Sequence, residues 1–216
     1  IDNLLHGNNR NLLPGKFTNA ICLETLTLLE SVKLYDAVLN NINQHGIFVE
    51  NVSLNIHQMM DRKEAVLCLI NQHTANVFSE CHIDFIHTTA KLLDSKTVEI
   101  ISIPQATNNK IIADYIVLAT ESSPIALPYA PIDNNYIVDS STALKLTELP
   151  KRLAILGAGV IGLELGGIWN RLGAETLLLD AQETFLGLAD NQISREAYNI
   201  YIAQGLDLRL GTRVIS

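Results

Sequence analysis

The chain contains one stretch that decides its fold, Arg152-Leu-Ala-Ile-Leu-Gly-Ala-Gly-Val-Ile-Gly-Leu-Glu-Leu-Gly-Gly-Ile-Trp169. The apolar run Leu153 to Leu156 predicts a buried parallel strand, and the following Gly157-x-Gly159-x-x-Gly162 predicts a tight turn into a helix. Gly157 would permit the turn, Gly159 would let a pyrophosphate approach the backbone, and Gly162 would let the helix pack closely on the strand. The phosphates would face the helix N-terminus. The pattern therefore predicts a dinucleotide-binding strand, turn and helix.

A second apolar strand, Thr176 to Leu179, ends in Asp180, which lies 23 residues after Gly157. An acidic residue at this distance bonds the adenosine ribose hydroxyls in dinucleotide-binding folds. The competing interpretation is a solvated carboxylate at a strand end. Three glycines alone are a weak signal, because tight turns and close helix packing also favour glycine. The second strand and its acid make dinucleotide binding the favoured interpretation.

Composition narrows the class of protein. Of the 216 residues 48% are hydrophobic, the net charge is −8 and the pI is about 5.2. An acidic chain without a Lys/Arg cluster argues against a nucleic-acid or anionic-membrane surface. Cys22, Cys68 and Cys81 show no metal-ligand spacing, so we expect neither a disulfide framework nor a metal site. The N-terminal residues lack a signal-peptide layout, so we expect a soluble, cytoplasmic protein.

Apolar spacing predicts long helices in the first part of the chain. Ile1 to Gly15 is rich in asparagine and turn formers and predicts irregular structure. We expect one helix from Thr25 to Gln44, ending near His45-Gly46, and a second from His57 to Ser79. The apolar face of the second helix would consist of Met59, Met60, Ala65, Val66, Leu69, Ile70 and Val77.

Short alternating runs follow these helices. The runs 83–87, 90–93 and 98–103 predict a small antiparallel unit, and Ile111 to Ala119 predicts a buried strand. Ser140 or Ser141 is a candidate cap for a short helix through Leu146.

The C-terminal part predicts further α/β elements and a domain boundary. We expect a helix from Asp190 to Gln204 and a strand from Asp207 to Leu210, with Trp169 in the core. The inward residues of the helix would be Ile193, Ala197, Ile200 and Ile202. We place the boundary at 147–148, and both domains, 1–147 and 148–216, read as incomplete. The chain therefore reads as an interior fragment or a degraded copy.

Several motifs resemble those of the flavin-dependent pyridine-nucleotide disulfide oxidoreductases, especially the dihydrolipoamide dehydrogenase branch. They are Gly-Ala-Gly-Val-Ile-Gly-Leu-Glu164, Trp169-x-Arg171-Leu-Gly-Ala-Glu175, Phe185-Leu with Asp190, Leu118-Ala-Thr-Glu-Ser-Ser-Pro124 and Leu127-Pro128. The resemblance implies an α/β fold with a Rossmann-like FAD/NAD(P)-binding two-domain arrangement. The 1–147 part would belong to the FAD-type domain and the 148–216 part to the NAD-binding domain.

The resemblance also assigns cofactor positions. It implies NAD binding at Gly157, Gly159, Val160, Ile161, Gly162 and Asp180. Glu164 would face the nicotinamide and flavin region, and Ala119 and Thr120 would lie on the FAD side. No arginine follows Asp180 directly, which favours NAD over NADP. Glu121 replaces a glycine of the family, where a side chain would crowd the flavin.

The redox motif of the family is degenerate here. Setting His45-Gly46-Ile47 against the family's post-helix His-Gly-Ile places Cys22 on the second redox cysteine and Phe17 on the first. Leu26 stands where the motif has lysine. The other positions assigned by this register are Asn19 on the motif's asparagine and Glu24 on its proline. Cys22 is therefore the remnant of a redox pair and the candidate catalytic residue.

Three hypotheses follow. The first is part of a flavoprotein oxidoreductase that transfers electrons between a dithiol or disulfide, FAD and NAD. The second is a catalytically inactive relative with a structural or regulatory role. The third, a simple NAD-dependent dehydrogenase domain, lacks the residues for direct hydride transfer. The resemblance implies NAD(H) as ligand, a homodimer and 2-oxo acid dehydrogenase complexes as partners, and a mitochondrial matrix location in a eukaryote.

Overall fold

The computed structural model describes residues 21–101, 109–120, 123–125 and 127–215. These residues form two compact units. One contains 70–101, 109–120 and 123, and the other contains 21–69, 124–125 and 127–215. The predictions made for Ile1 to Gly15, Phe17, Asn19 and Glu121 lie outside the described residues. The domain boundary at 147–148 stays a prediction.

Two long helices begin the described part of the chain. Helix α1 is Ile21–Asn40, a 3-10 helix is Ile42–His45, and helix α2 is Ile56–Glu80. Gly46 has a positive φ of 75° and ends the 3-10 helix, as a left-handed glycine commonly does. The predicted stop near His45-Gly46 is confirmed, and the last predicted turn is 3-10 rather than α-helical.

The buried face of α2 differs from the predicted one. It consists of Ile56, Met60, Lys63 and Leu67, which follow a helical stripe. Leu69, predicted on the apolar face, is 65% exposed. The prediction failed because a lysine occupies one position of the stripe, and buried lysines are rare unless paired.

Three short strands form an antiparallel sheet in the smaller unit. They are β1 Ala90–Leu92, β2 Thr97–Ile100 and β3 Lys110–Ile112, in the order β1-β2-β3. The predicted antiparallel unit is thus confirmed, but the 83–87 run is not a strand.

The predicted buried strand from Ile111 to Ala119 is wrong. Only its first two residues belong to a strand, and Tyr115 and Val117 are almost fully exposed. A strand becomes buried only when neighbouring strands and a covering layer surround it. No described strand pairs with residues 113–119, where the Ala113 amide donates to the Lys96 carbonyl, just outside β2, at 2.9 Å.

A parallel sheet organises the C-terminal part of the larger unit. Its elements are α3 Ser140–Ala143, β4 Arg152–Leu156, α4 Val160–Arg171, β5 Glu175–Leu179, α5 Asn191–Ala203 and β6 Asp207–Arg209. The strand order is β4-β5-β6, and both pairings are parallel. Each pair is joined through a helix, as in a βαβαβ half of a doubly wound fold.

The burial of β4 differs from the prediction. We expected a buried strand from Leu153 to Leu156, but among the described residues β4 is an edge strand with Leu156 44% exposed, and β5 lies in the middle. In the doubly wound order 3-2-1-4-5-6, the second strand lies between the first and the third. The observed order corresponds to that half of the sheet.

Two apolar clusters hold this unit together. The first includes Leu28 and Val32 of α1, Met60 of α2 and Trp169 of α4, and the second includes Leu178 and Phe185. Trp169 is completely buried, which confirms its predicted place in the core.

The inward face of α5 was mostly mispredicted. Ile193, Ile200 and Ile202 are exposed, and the helix instead packs Ala197, Tyr198 and Tyr201 against the second cluster. The two tyrosine rings meet Phe185 edge-on at centroid distances of 5.5 and 6.5 Å. Aromatic rings bury more surface than isoleucine, so they occupy the core side.

The cap of α3 is Asp139 rather than Ser140 or Ser141. Its carboxylate accepts a hydrogen bond from the Thr142 amide at 2.7 Å. Asp190 caps α5 in the same way, with the amide of Gln192 at 2.8 Å. An N-cap side chain of this kind satisfies an amide that has no partner within the helix.

Candidate dinucleotide-binding site

The glycine turn connects β4 to α4 at the carboxyl end of the parallel strands. The Gly157 amide donates to the Leu179 carbonyl at 2.8 Å, which places the turn directly beside the end of β5. Gly157 has a φ of 107°, a conformation that residues with a Cβ rarely adopt. Ligands of open α/β sheets bind at this edge.

Gly162 and Gly159 differ in the space that an added side chain would find. A Cβ atom added to Gly162 would overlap the carbonyl oxygen of Gly157, so only glycine lets the helix approach the turn. A Cβ atom added to Gly159 would meet nothing within 4 Å. The space over Gly159 is therefore open, as an approaching pyrophosphate requires.

The first turn of α4 presents backbone amides at this open space. Gly159 is the N-cap residue of α4 and provides no side-chain cap, and Val160 and Ile161 are the first two helical residues. Amides in the first turn have no partner within the helix and carry the positive end of its dipole. They fit an anionic phosphate without any charged side chain.

Asp180, the predicted ribose-binding acid, directly follows β5. Its Oδ2 accepts a hydrogen bond from the Ala158 amide at 2.8 Å, and its Oδ1 accepts one from the Gln182 amide at 2.8 Å. A carboxylate has about four acceptor positions, so two remain for hydroxyl donors. The two amides fix the carboxylate beside the glycine turn.

Glu164 lies in the second turn of α4 and contacts α1. Its Oε2 accepts a hydrogen bond from the Thr25 hydroxyl at 2.8 Å. The same hydroxyl lies 3.1 Å from the Cys22 carbonyl oxygen. Thr25 thus connects the turn that carries Cys22 with the helix that follows the glycine turn. Sequence reasoning missed Thr25, because no local pattern indicates a contact between residues 139 positions apart.

A cavity of about 280 Å³ lies beside Glu164, between α1, α4 and α5. Its lining is Leu29, Leu163, Glu164, Gly167, Arg171, Ala197, Ile200, Tyr201 and Gln204. Burial raises the pKa of Tyr201; the Glu164 carboxylate raises it further, and the Arg171 guanidinium opposes the shift. Nothing in the sequence had indicated Tyr201 or Arg171 as site residues.

The remaining candidate residues are Ala119, Thr120 and Cys22. Ala119 and Thr120 belong to the smaller unit and are exposed, so their place on the FAD side stays a prediction. Cys22 is exposed and in no disulfide. Cys68, predicted inside a packed helix, is exposed on α2.

The described residues hold no group of three or more His, Cys, Asp or Glu side chains arranged to bind a metal ion. None of their helices has both the length and the apolar character needed to cross a membrane.

Comparison with known protein families identifies the family of this chain. The model of the pyridine nucleotide-disulphide oxidoreductases matches residues 10–216. The chain belongs to the pyridine nucleotide-disulphide oxidoreductase family. Members of this family are FAD-dependent and bind NAD(P). The resemblance based on the glycine and Trp169 motifs is therefore confirmed, as is the α/β fold class.

Curated relatives of the chain include dihydrolipoyl dehydrogenases. The chain is 31% identical over 207 residues to the mitochondrial dihydrolipoyl dehydrogenase of Schizosaccharomyces pombe, covering 96% of the chain and 40% of that protein. It is 34% identical over 208 residues to dihydrolipoyl dehydrogenase 3 of Pseudomonas aeruginosa, covering 96% of the chain and 44% of that protein. The chain thus spans about two fifths of the length of these relatives.

Solved structures of the family share the fold. LpdA from Mycobacterium tuberculosis superposes with a TM-score of 0.75 at 21% identity, covering 90% of this chain and 42% of that one. The HOCl-induced flavoprotein disulfide reductase RclA from Escherichia coli superposes with a TM-score of 0.67 at 22% identity, covering 91% of this chain and 42% of that one.

Proposed function

We propose that this part of the chain binds NAD(H) on the glycine turn between β4 and α4. In the whole protein, it would serve a dihydrolipoyl dehydrogenase-like flavoprotein that transfers electrons between a dithiol or disulfide, FAD and NAD. The observation that carries NAD binding is the Asp180 carboxylate, held by two backbone amides beside the turn. The open space over Gly159 and the first-turn amides of α4 support it.

Each part of NAD has a residue suited to it. The first-turn amides of α4 would hold the pyrophosphate, and Asp180 would accept hydrogen bonds from the adenosine ribose hydroxyls. When bound, the nicotinamide supplies hydride transfer. Asp180 would also exclude NADP, because the 2′-phosphate would place a second anion against the carboxylate.

Two positions of the redox motif argue against disulfide exchange in this chain. In the register set at His45-Gly46-Ile47, Phe17 replaces the first redox cysteine, and Leu26, which is 54% exposed, replaces the lysine. Cys22 alone provides one thiol, whereas disulfide exchange with internal resolution requires two. An inactive nucleotide-binding relative is therefore the second candidate function.

Partners and location follow from the relatives. We propose that the whole protein forms a homodimer and serves a 2-oxo acid dehydrogenase complex. The location would be cytoplasmic in a bacterium and the mitochondrial matrix in a eukaryote, since the Schizosaccharomyces pombe relative is mitochondrial.

The test is calorimetric titration of the chain with NAD and NADP. We expect binding of NAD in clear preference to NADP. Asp180→Ala should weaken NAD binding by at least tenfold, because each hydrogen bond to a charged acceptor contributes about 1.5–3 kcal/mol. Asp180→Asn tests the charge while keeping an acceptor oxygen for the Ala158 amide.

Asp207→Ala is the matched control. This carboxylate is on the first residue of β6 and pairs with Arg209 of the same strand at 2.6 Å. Its removal should leave NAD affinity unchanged. Equal NAD affinity of Asp180→Ala and the unaltered chain would contradict the proposed site, provided that thermal denaturation shows the variant to be folded.

A further inference from the structure

The cavity between α1, α4 and α5 has mainly apolar walls and a volume of about 280 Å³. Leu29 of α1, Leu163 of α4 and two residues of α5, Ala197 and Ile200, supply the apolar surface. Pockets for drug-sized ligands begin at about 300 Å³, so this cavity suits a smaller molecule. Neither the glycine turn nor Asp180 lines it, so an inference about the cavity does not depend on NAD binding.

Gly167 leaves this space open. It lies on α4 between Glu164 and Arg171, on the same helix face, because residues three and four positions apart are neighbours on a helix. A Cβ atom added to Gly167 would meet the Tyr201 ring at 3.7 Å, an ordinary contact, so packing does not require glycine here. At Gly166, by contrast, a Cβ atom would come within 2.8 Å of a neighbouring side chain. Glycine destabilises a helix interior relative to alanine, and at position 167 its effect is an empty volume.

Two opposite charges face the cavity. Among the described residues, the Arg171 guanidinium has no hydrogen-bond or ion-pair partner, and Glu164 uses only Oε2, which accepts from the Thr25 hydroxyl at 2.8 Å. Glu164 and Arg171 are seven residues apart, which corresponds to a rise of about 10.5 Å along α4. They therefore present a free carboxylate oxygen and a free cation at opposite ends of the same apolar space.

We propose that the cavity binds a small zwitterion whose ammonium and carboxylate groups are separated by an apolar chain, as in an ω-amino acid. The ammonium group pairs with Oε1 of Glu164 and the carboxylate with the Arg171 guanidinium, while the chain packs on Leu29 and Ile200. A ligand with one charge would leave the opposite protein charge facing an apolar chain, which is unfavourable. An α-amino acid carries both charged groups on one carbon and does not reach both side chains.

The test is a ligand-observed NMR titration of the 216-residue chain with 6-aminohexanoate. Hexanoate and hexylamine each keep one of its two charges, and leucine keeps both on a single carbon. We expect 6-aminohexanoate to bind with a Kd of about 1 mM or tighter, since so small a ligand makes few contacts. Each comparison molecule should bind more weakly by about fivefold, the size of one partly exposed ion pair.

Two charge variants separate the ends of the ligand. Arg171→Gln should weaken 6-aminohexanoate binding by about fivefold without weakening hexylamine, which has no carboxylate. Glu164→Gln should weaken 6-aminohexanoate to a similar extent without weakening hexanoate, which has no ammonium group. Arg195→Gln is the matched control, because Arg195 is an exposed arginine of α5 that does not line the cavity. Its affinity for all four molecules should equal that of the unaltered chain.

Gly167→Ala and Gly167→Leu test the empty volume itself. Alanine should raise the unfolding temperature, because it is favoured in a helix interior and its Cβ makes an ordinary contact. A leucine side chain fills the cavity and should abolish the binding of 6-aminohexanoate. Thermal denaturation shows whether the leucine variant is folded; if it is not, the alanine variant should still bind 6-aminohexanoate more weakly than the unaltered chain.

Three outcomes would overturn the inference. The first is the absence of 6-aminohexanoate binding at about 10 mM, tenfold above the expected Kd. The second is an equal affinity for 6-aminohexanoate, hexanoate and hexylamine, which would show that the two charges play no part. The third is unchanged binding by Arg171→Gln or by a folded Gly167→Leu chain, which would place the ligand outside this cavity.

Discussion

The ammonium group of Lys63 donates a hydrogen bond to the Leu144 carbonyl oxygen at 2.8 Å, which links α2 to the residue that ends α3. The same group lies 3.2 Å from Oε2 of Glu24 and 3.1 Å from Oε1 of Glu64. An ammonium group has three hydrogens, so these acceptors satisfy it while the side chain is 1% exposed. Lys63 of α2 thus links α1 and the end of α3 beside the first apolar cluster.

Lys63→Met should lower the free energy of unfolding by about 3–5 kcal/mol. The substitution leaves the Glu24 carboxylate buried without this cation, and breaking a buried pair on one side is costly. Urea denaturation measures the change. Lys96→Met is the control, because Lys96 is 60% exposed and its pair with Asp114 spans 3.5 Å. A Lys63→Met chain as stable as the Lys96→Met chain would show that the buried pair contributes little.

Gly159→Ala and Gly162→Ala should separate ligand binding from folding. An alanine at position 159 enters open space, so the fold should persist while the approach of the pyrophosphate is blocked. An alanine at position 162 overlaps the Gly157 carbonyl, and such overpacking costs about 1–3 kcal/mol.

The measurements for the glycine variants are thermal denaturation and NAD titration. Gly187→Ala is the control, since its added Cβ would make an ordinary contact with Thr184 at 3.7 Å. Full NAD binding by Gly159→Ala would contradict the assignment of the turn to the pyrophosphate. Unchanged stability of Gly162→Ala would show that the turn relaxes around the added methyl group.

What the sequence predicted well is encoded locally. The strand from Leu153 and the turn at Gly157 lie within one βαβ unit, and each has its own local signature in the sequence. The ribose-binding role of Asp180 stays a prediction. The helix at Asp190 was predicted for the same reason, because a cap acts on the amides that follow it directly.

What the sequence could not predict depends on contacts between distant residues. Lys63 is buried because Glu24 and the Leu144 carbonyl surround it, and neither lies near it in sequence. Val117 was predicted in a buried strand because its neighbours are apolar, yet apolar character alone provides no pairing strand. The sequence around Thr25 predicts only a helical residue, because its contact with Glu164 arises from the packing of α1 against α4.

Acid should remove the stabilisation that Asp139 gives to α3. The hydrogen bond from the Thr142 amide is the main reason that the pKa of Asp139 lies below its ordinary value. The folded state therefore binds the proton less readily than the unfolded state. The contribution is complete above the unfolded pKa of about 3.9 and is lost as the pH falls through the folded pKa.

Asp139→Ala should thus cost about 1 kcal/mol at pH 7, the usual size of an N-cap, and much less at about pH 2. Urea denaturation at both pH values measures this difference. Ser141→Ala, at the position first predicted as a cap, should have little effect at either pH. A cost of Asp139→Ala that is equal at both pH values would show that the charge of the cap does not matter.

The chain of 216 residues should not oxidise dihydrolipoamide with NAD as the electron acceptor, even with added FAD. The reaction requires one thiolate to attack and a second thiol to close the internal disulfide. Cys22 is exposed and in no disulfide, and the register places a phenylalanine at the first cysteine position.

NADH absorbance follows the reaction, and an intact dihydrolipoyl dehydrogenase serves as the positive control. We expect the rate of the unaltered chain to equal that of Cys22→Ser. Turnover well above the Cys22→Ser rate would show that Cys22 has a redox partner and that the register at Phe17 is misplaced. The additional variants Cys68→Ser and Cys81→Ser would then identify which thiol forms the disulfide with Cys22.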